Sequence, residues 1–181
     1  MSSQVIYAEF GQAGRTPRAA PQPSESTGTV AAIHALPTWL RIEVDASHVD
    51  IVTRHRYPRA DEKPAVRENY RAWLAPRIDA GQYIGYLAQI DGAIVAGAGL
   101  TLLDWGPTRD SARNLRARLV NVFTEVGYRR RRIAHELICA LMTACDKRGI
   151  DQIDLSTSDA GHSFWAGLGF ERVSSEMTLL L

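Results

Sequence analysis

Hydrophobic positions follow two different spacings along the chain, and the switches between them mark out its elements. Leu40, Ile42 and Val44 alternate with Arg41 and Glu43, the period of a half-buried strand. Asp45 or Ser47 then caps a helix that carries Val49, Val52 and His55 and stops at Pro58. Pro64 suits the first turn of a second helix. That helix reaches Ile78, with Val66, Tyr70, Trp73 and Leu74 on one stripe, and closes at Gly81. Residues 83–90 read as a strand, Asp91-Gly92 as a two-residue hairpin turn, and 93–103 as the returning strand. A polar loop follows over 104–114, then a strand over 116–124. Ile133, Ala134, Leu137, Leu141, Ala144 and Cys145 recur at helical spacing, and Gly149 stands at the stop. Residues 150–156 alternate again as a strand. Ser158 or Asp159 caps a short helix over 160–168, and Gly169-Phe170 turns into a last strand.

The predicted order is β-α-α-β-β-β-α-β-α-β. A strand, a long helix and a strand within about 30 residues form a βαβ unit, so part of the sheet is parallel. The pattern predicts an α/β (α+β) domain with a mixed central sheet flanked by helices. Residues 11–28 are rich in Gly, Pro, Ser and Ala and lack large apolar side chains. Such a segment buries too little surface to offset its ordering entropy. The expected organisation is a flexible N-terminal arm over 1–37 and one domain over 38–181.

Composition narrows the function. With 181 residues and 45% hydrophobic positions, the chain fits one domain with a proper core. A net charge of +1 argues against nucleic-acid and membrane-surface partners, which rely on excess positive charge. Cys139 and Cys145 lie on different sides of one predicted helix, fit no metal spacing, and read as small buried apolar residues. No metal is expected. No run of about 18 apolar residues is present, and no secretory signal is legible at the N-terminus, so a cytoplasmic protein is expected.

The chemistry concentrates in two places. Arg129, Arg130, Arg131 and Arg132 lead from a strand directly into a helix. A helix N-terminus presents unpaired N–H groups and a positive dipole end, and the arginines strengthen that field. An anion site, most naturally for a phosphate or pyrophosphate, stands beside a plain solvated basic turn as a reading. The second place is Ser156 to Phe170, where Phe164-Trp165-Ala166-Gly167-Leu168-Gly169-Phe170 closes a short helix.

Together these stretches resemble the GNAT superfamily of acyl-CoA-dependent N-acyltransferases. The stretch from Asn121 to Leu137 is similar to its acyl-CoA motif, a strand followed by R/Q-x-x-G-x-G/A and a helix. Arg129 falls at the leading position and Ala134 at the closing one; Arg132 replaces the usual glycine, adding bulk and charge where backbone and phosphate approach. The second stretch resembles the C-terminal signature of the family, with Trp165 at a position usually held by tyrosine. The resemblance covers roughly residues 38–181.

That resemblance implies a GNAT fold with splayed parallel strands 4 and 5. It implies acetyl-CoA as acyl donor, transfer to a primary amine by direct attack, and an acceptor that is a small molecule. A peptide or protein acceptor, or a CoA-binding domain without turnover, is the alternative. Backbone around Val122, Phe123 and Thr124 would bind the pantetheine arm and polarise the thioester carbonyl. Arg129, Arg130, Arg131, Arg132, Ile133, Ala134 and His135 would hold the pyrophosphate, with Ser158 nearby. Some members use a strand Glu as base; here Glu125 and Asp154 are the carboxylate candidates, with His135 and His162 as further ones. Trp165 cannot act as the usual acid, because indole N–H is not acidic near neutral pH. An acceptor pocket is expected between the first two helices and the 104–114 loop, near Tyr57, Trp73 and Trp105, although Trp73 reads more naturally as a core residue of its helix stripe. The expected state is a monomer or homodimer.

Overall fold

The computed structural model describes residues 38–57, 64–107 and 111–172. Strands β1 (Leu40–Glu43), β2 (Tyr83–Ile90), β3 (Ala93–Asp104), β4 (Leu115–Thr124) and β5 (Ile153–Asp154) form one sheet in that spatial order. The first four are antiparallel neighbours, and β5 runs parallel to β4. Helices α1 (Val49–Arg56) and α2 (Pro64–Asp79) follow β1, α3 (Ile133–Lys147) joins β4 to β5, and α4 (His162–Gly167) follows β5. The predicted mixed sheet with flanking helices is therefore present. The expected N-terminal arm and all but the start of the expected last strand lie outside the described residues.

Both faces of the sheet are covered. On one, Leu137, Ile138 and Leu141 of α3 pack with Ile84, Ala88, Val95, Ala98 and Leu100. On the other, Val49 and Val52 of α1 and Leu74 of α2 pack with Val44, Tyr83 and Leu87. This explains why β2 is nearly all apolar: residues pointing to either face meet a helix. Asp91 and Gly92 both adopt positive φ, as the predicted two-residue hairpin turn requires. Asp45 caps a short 3-10 turn before α1, its Oδ1 accepting from the Ser47 amide at 2.8 Å.

Some expectations are corrected. Leu40 is 61% exposed because β1 is an edge strand with β2 on one side only. Val66 is also exposed, so the buried stripe of α2 is confined to its C-terminal half around Leu74. Cys145 is buried but Cys139 is exposed, and both thiols are free. Most consequentially, β5 spans two residues rather than 150–156, because the chain leaves the sheet after Asp154.

A polar clasp fixes β4 against its neighbours. Asn121, in the left-handed region at φ 56, donates from Nδ2 to Tyr70 Oη at 2.6 Å and to Tyr83 Oη at 3.0 Å. Asn tolerates that backbone better than most residues. Burial pushes both phenols up, and each stays protonated at neutral pH. The Tyr83 ring crosses β3 only because position 99 is glycine: a Cβ there would collide with Tyr83 Oη.

Two stability predictions follow from this packing. Gly99→Ala should destabilise the domain by about 1–3 kcal/mol through overpacking, whereas Gly127→Ala, facing open space, should stay within about 0.5 kcal/mol of wild type. Asn121→Ala strips two phenols of their donor and should cost about 1–3 kcal/mol. Urea denaturation measures all three, and equal midpoints for Gly99→Ala and Gly127→Ala would contradict the clasp.

Candidate active site

β4 and β5 pair only through Ala117 with Ile153 and Arg118 with Asp154. Beyond that point β4 continues along β3 to Thr124, while the other chain turns away through Leu155, Ser156 and Thr157. The edge of β4 from Leu119 onward is thus left without a strand partner, and its outward amides and carbonyls face a gap. A cavity of about 350 Å3 fills this gap. Leu119, Val120, Asn121 and Val122 line one side, and Leu155, Ser156 and Thr157 the other. Trp165 of α4 and His55 and Arg56 of α1 complete the wall.

β4 is also kinked at the cavity. Gly97 pairs with Phe123 and Gly99 with Val120, so one residue of β3 faces Asn121 and Val122 together. This is a β-bulge, which bends the strand and re-aims its backbone groups. The clasp by Tyr70 and Tyr83 holds the bulge from behind.

Past Thr124 the chain makes one short turn and enters α3. The first α3 residues, Ile133, Ala134 and His135, have no carbonyl a turn earlier to bond, and no side chain caps them. Arg130 and Arg132 both have φ 62, the left-handed region. This gives a physical reason for glycine at the Arg132 position of the motif: glycine adopts that backbone without the roughly 1–2 kcal/mol that other residues incur. Arg132 is exposed and its side chain caps none of the open amides. Arg129 donates from Nε to the Thr124 carbonyl at 3.0 Å, tying the turn to the end of β4. Arg131 lies over the Tyr128 ring, 5.3 Å from its centre.

The other sequence candidates fall in different places. Trp165 lines the cavity, with its ring edge-on to Phe164 and Phe170 at 4.9 Å and 5.6 Å. Asp154 does not line it, and its Oδ1 accepts from Gln152 Nε2 at 3.1 Å. Ser158 is exposed and precedes the short turn that leads into α4. His135 turns Nδ1 toward Cys139 Sγ at 3.7 Å along α3, and His162 is exposed. The expected acceptor aromatics are elsewhere as well. Trp105 is exposed beneath Arg116, and Trp73 packs in the α1–α2 core with Arg77 over its ring at 4.3 Å. Among the described residues, no group of three or more His, Cys, Asp or Glu is placed to hold a metal ion. No helix among them is long and apolar enough to cross a membrane.

His55 joins the site although the pattern marked it only as a helix-stripe residue. It lies three positions after the buried Val52, so it shares that inward face. A titratable side chain on an otherwise apolar stripe is the signal that could have marked it. Its ring stacks on Phe123 with centroids 3.6 Å apart and planes 7° off parallel. Its Nε2 is 3.7 Å from Glu125 Oε1. Burial pushes the imidazole pKa below its ordinary value, partly opposed by Glu125 and reinforced by Arg54. The ring is therefore mostly neutral at pH 7.

Comparison with known proteins places this geometry in context. A GCN5-related N-acetyltransferase from Ralstonia eutropha JMP134 superposes with TM-score 0.71 at 23% identity, covering 79% of this chain and 99% of that one. A predicted acetyltransferase from Clostridium acetobutylicum, solved with acetyl-CoA, gives TM-score 0.74 at 17% identity, covering 79% and 96%. Glucosamine-6-phosphate N-acetyltransferase from Arabidopsis thaliana gives 0.62 at 13%, covering 79% and 98%. At these identities the likeness shows a common fold. A search of curated protein sequences finds no match. The model of the Acetyltransferase (GNAT) family matches residues 48–170, from the turn before α1 through the helix that carries Trp165. With that match over most of the chain, and with the sheet opening where the fold requires it, the protein belongs to the GNAT family of acetyl-CoA-dependent N-acetyltransferases.

Proposed function

We propose that this protein moves the acetyl group of acetyl-CoA onto a primary amine of a small molecule, by direct attack while both substrates are bound. The observation that carries the reading is the parting of β4 from β5 after Arg118 and Asp154, with a cavity in the gap. The residues present suit the acyl donor. The open amides of Ile133, Ala134 and His135, the helix dipole and the arginines 129–132 form a cradle for a pyrophosphate. The unpaired edge over Val122, Phe123 and Thr124 offers hydrogen bonds to the amide-bearing pantetheine arm. The bulge aims backbone donors of the same edge at a thioester carbonyl, where they stabilise developing negative charge. Ser158 adds a hydroxyl on the chain that leaves β5.

Bound acetyl-CoA supplies an activated acyl group on a thiol leaving group whose pKa lies near 8.5. So mild a leaving group departs as thiolate and takes its proton from solvent, which suits a wall built from Trp165 rather than from an acid. The small-molecule acceptor rests on the cavity, whose volume of about 350 Å3 sits at the lower end of small-ligand pockets, roughly 300–1,000 Å3. His55 and Arg56 bring α1 to the side from which an acceptor would enter.

Calorimetry should show acetyl-CoA binding that weakens as salt rises, because exposed arginines contribute to the phosphate site. No heat at millimolar acetyl-CoA would sink the reading. Thiol release should then appear with an amine from a panel of small acceptors. Trp165→Phe should keep kcat within about threefold of wild type; a loss of about 100-fold or more would mean that the indole supplies a proton or hydrogen bond to the reaction.

A further inference from the structure

We propose that His55 is the general base that takes the proton from the attacking amine, and that Glu125 is the positioning residue that orients its ring. This rests on the acetyl-transfer reading above. An alkylammonium is mostly protonated at pH 7 and must lose a proton to attack. Neither β4 nor β5 places a carboxylate on the cavity wall. His55 is on that wall, next to the β4 bulge, and is its one ordinary proton acceptor near neutral pH.

The ring is held from two directions. Phe123, which pairs with Gly97 at the bulge, stacks flat against it at 3.6 Å. Glu125, just beyond the end of β4, faces Nε2 at 3.7 Å, close enough for an ion pair and longer than a direct hydrogen bond. A carboxylate there favours the tautomer with its proton on Nε2, which leaves the Nδ1 lone pair to accept. The side chain is 18% exposed, so it is held yet reachable. In the step, the amine enters neutral, its ammonium proton having gone to solvent; its nitrogen forms a bond to the acetyl carbon and the carbon–sulfur bond breaks, its electron pair leaving on sulfur. The N–H proton passes to Nδ1 of His55, and the thiolate takes a proton from solvent.

The charged groups around His55 set its pH behaviour. Glu125 faces it from the end of β4, and Arg54 and Arg56 flank it on α1. From α2, Tyr70 faces this set, with the Arg56 guanidinium 6.0 Å from its ring. Burial lowers the imidazole pKa and Glu125 raises it in part. The neutral form is the active one, so kcat/KM rises with pH through the His55 pKa, below the ordinary 6.5. Removing the Glu125 charge removes the raising effect and moves that acid limb to lower pH.

The test uses the full chain with acetyl-CoA and, as acceptors, tyramine, L-phenylalanine, spermidine and kanamycin, reading thiol release. Release by wild type upholds the acetyl-transfer reading whatever the variants do; no release from wild type with any of them overturns that reading and this one with it. With the best acceptor, His55→Gln should lose about 100-fold or more in kcat, while calorimetric affinity for acetyl-CoA stays at the wild-type value. Glu125→Gln should lower kcat, leave acetyl-CoA affinity at the wild-type value, and shift the acid limb downward. Should His55→Gln not fold, the Glu125→Gln shift decides alone. Either a His55→Gln rate within about threefold of wild type or an unmoved acid limb in Glu125→Gln overturns the proposal.

Discussion

Two residue pairs hold β5 to β4, and beyond them a length of β4 edge has no partner strand. Backbone donors and acceptors inside a protein must be satisfied by something, and here the satisfying group is not another strand. The rest of the active-site architecture is arranged around this vacancy. β4 ends at Thr124, one turn brings the chain to Ile133, and the open amides of α3 lie at the end of the same path. In the proposed reading, an elongated donor with a diphosphate at one end and a thioester at the other would meet complementary groups at both.

An open strand edge keeps its shape only if it is braced from elsewhere. β4 is held along β3, and its bulge is pinned by Asn121 to one tyrosine from α2 and one from β2. α3 packs against one face of the sheet, and α1 and α2 against the other. The same α1 packing that buries Val52 delivers His55 to the cavity. Packing and the cavity wall therefore share residues, and Phe123 serves both as a partner in the β4 ladder and as the plate beneath His55.

The parts legible in the sequence are those governed by local rules. Helix α3 shows its 3.6-residue period plainly, and Asp91-Gly92 announces its hairpin because few other residues accept two successive positive φ values. The arginine-rich turn before α3 is legible through arginine clustering and helix position. What escaped depends on distant contacts. The brevity of β5 cannot be read from Ile153 and Leu155, whose alternation fits a longer strand equally well; only the course of β4 decides it. Leu40 fits a buried pattern but lies at the sheet edge. His55 and Glu125 are 70 residues apart in sequence, and nothing local links them. Trp73 was legible as a core residue from its place on the α2 stripe, but the exposure of Trp105 was not.

If acetyl-CoA binds as proposed, the unpaired β4 edge and the α3 mouth are two ends of one binding surface. Backbone amide NMR with and without acetyl-CoA tests this most directly. Saturating acetyl-CoA should shift the Val122–Thr124 and Ile133–His135 amides together and slow their hydrogen exchange, while β1 and the β2–β3 turn stay unmoved. Amides of both stretches that keep their free-state shifts and exchange rates while acetyl-CoA binds elsewhere would contradict it.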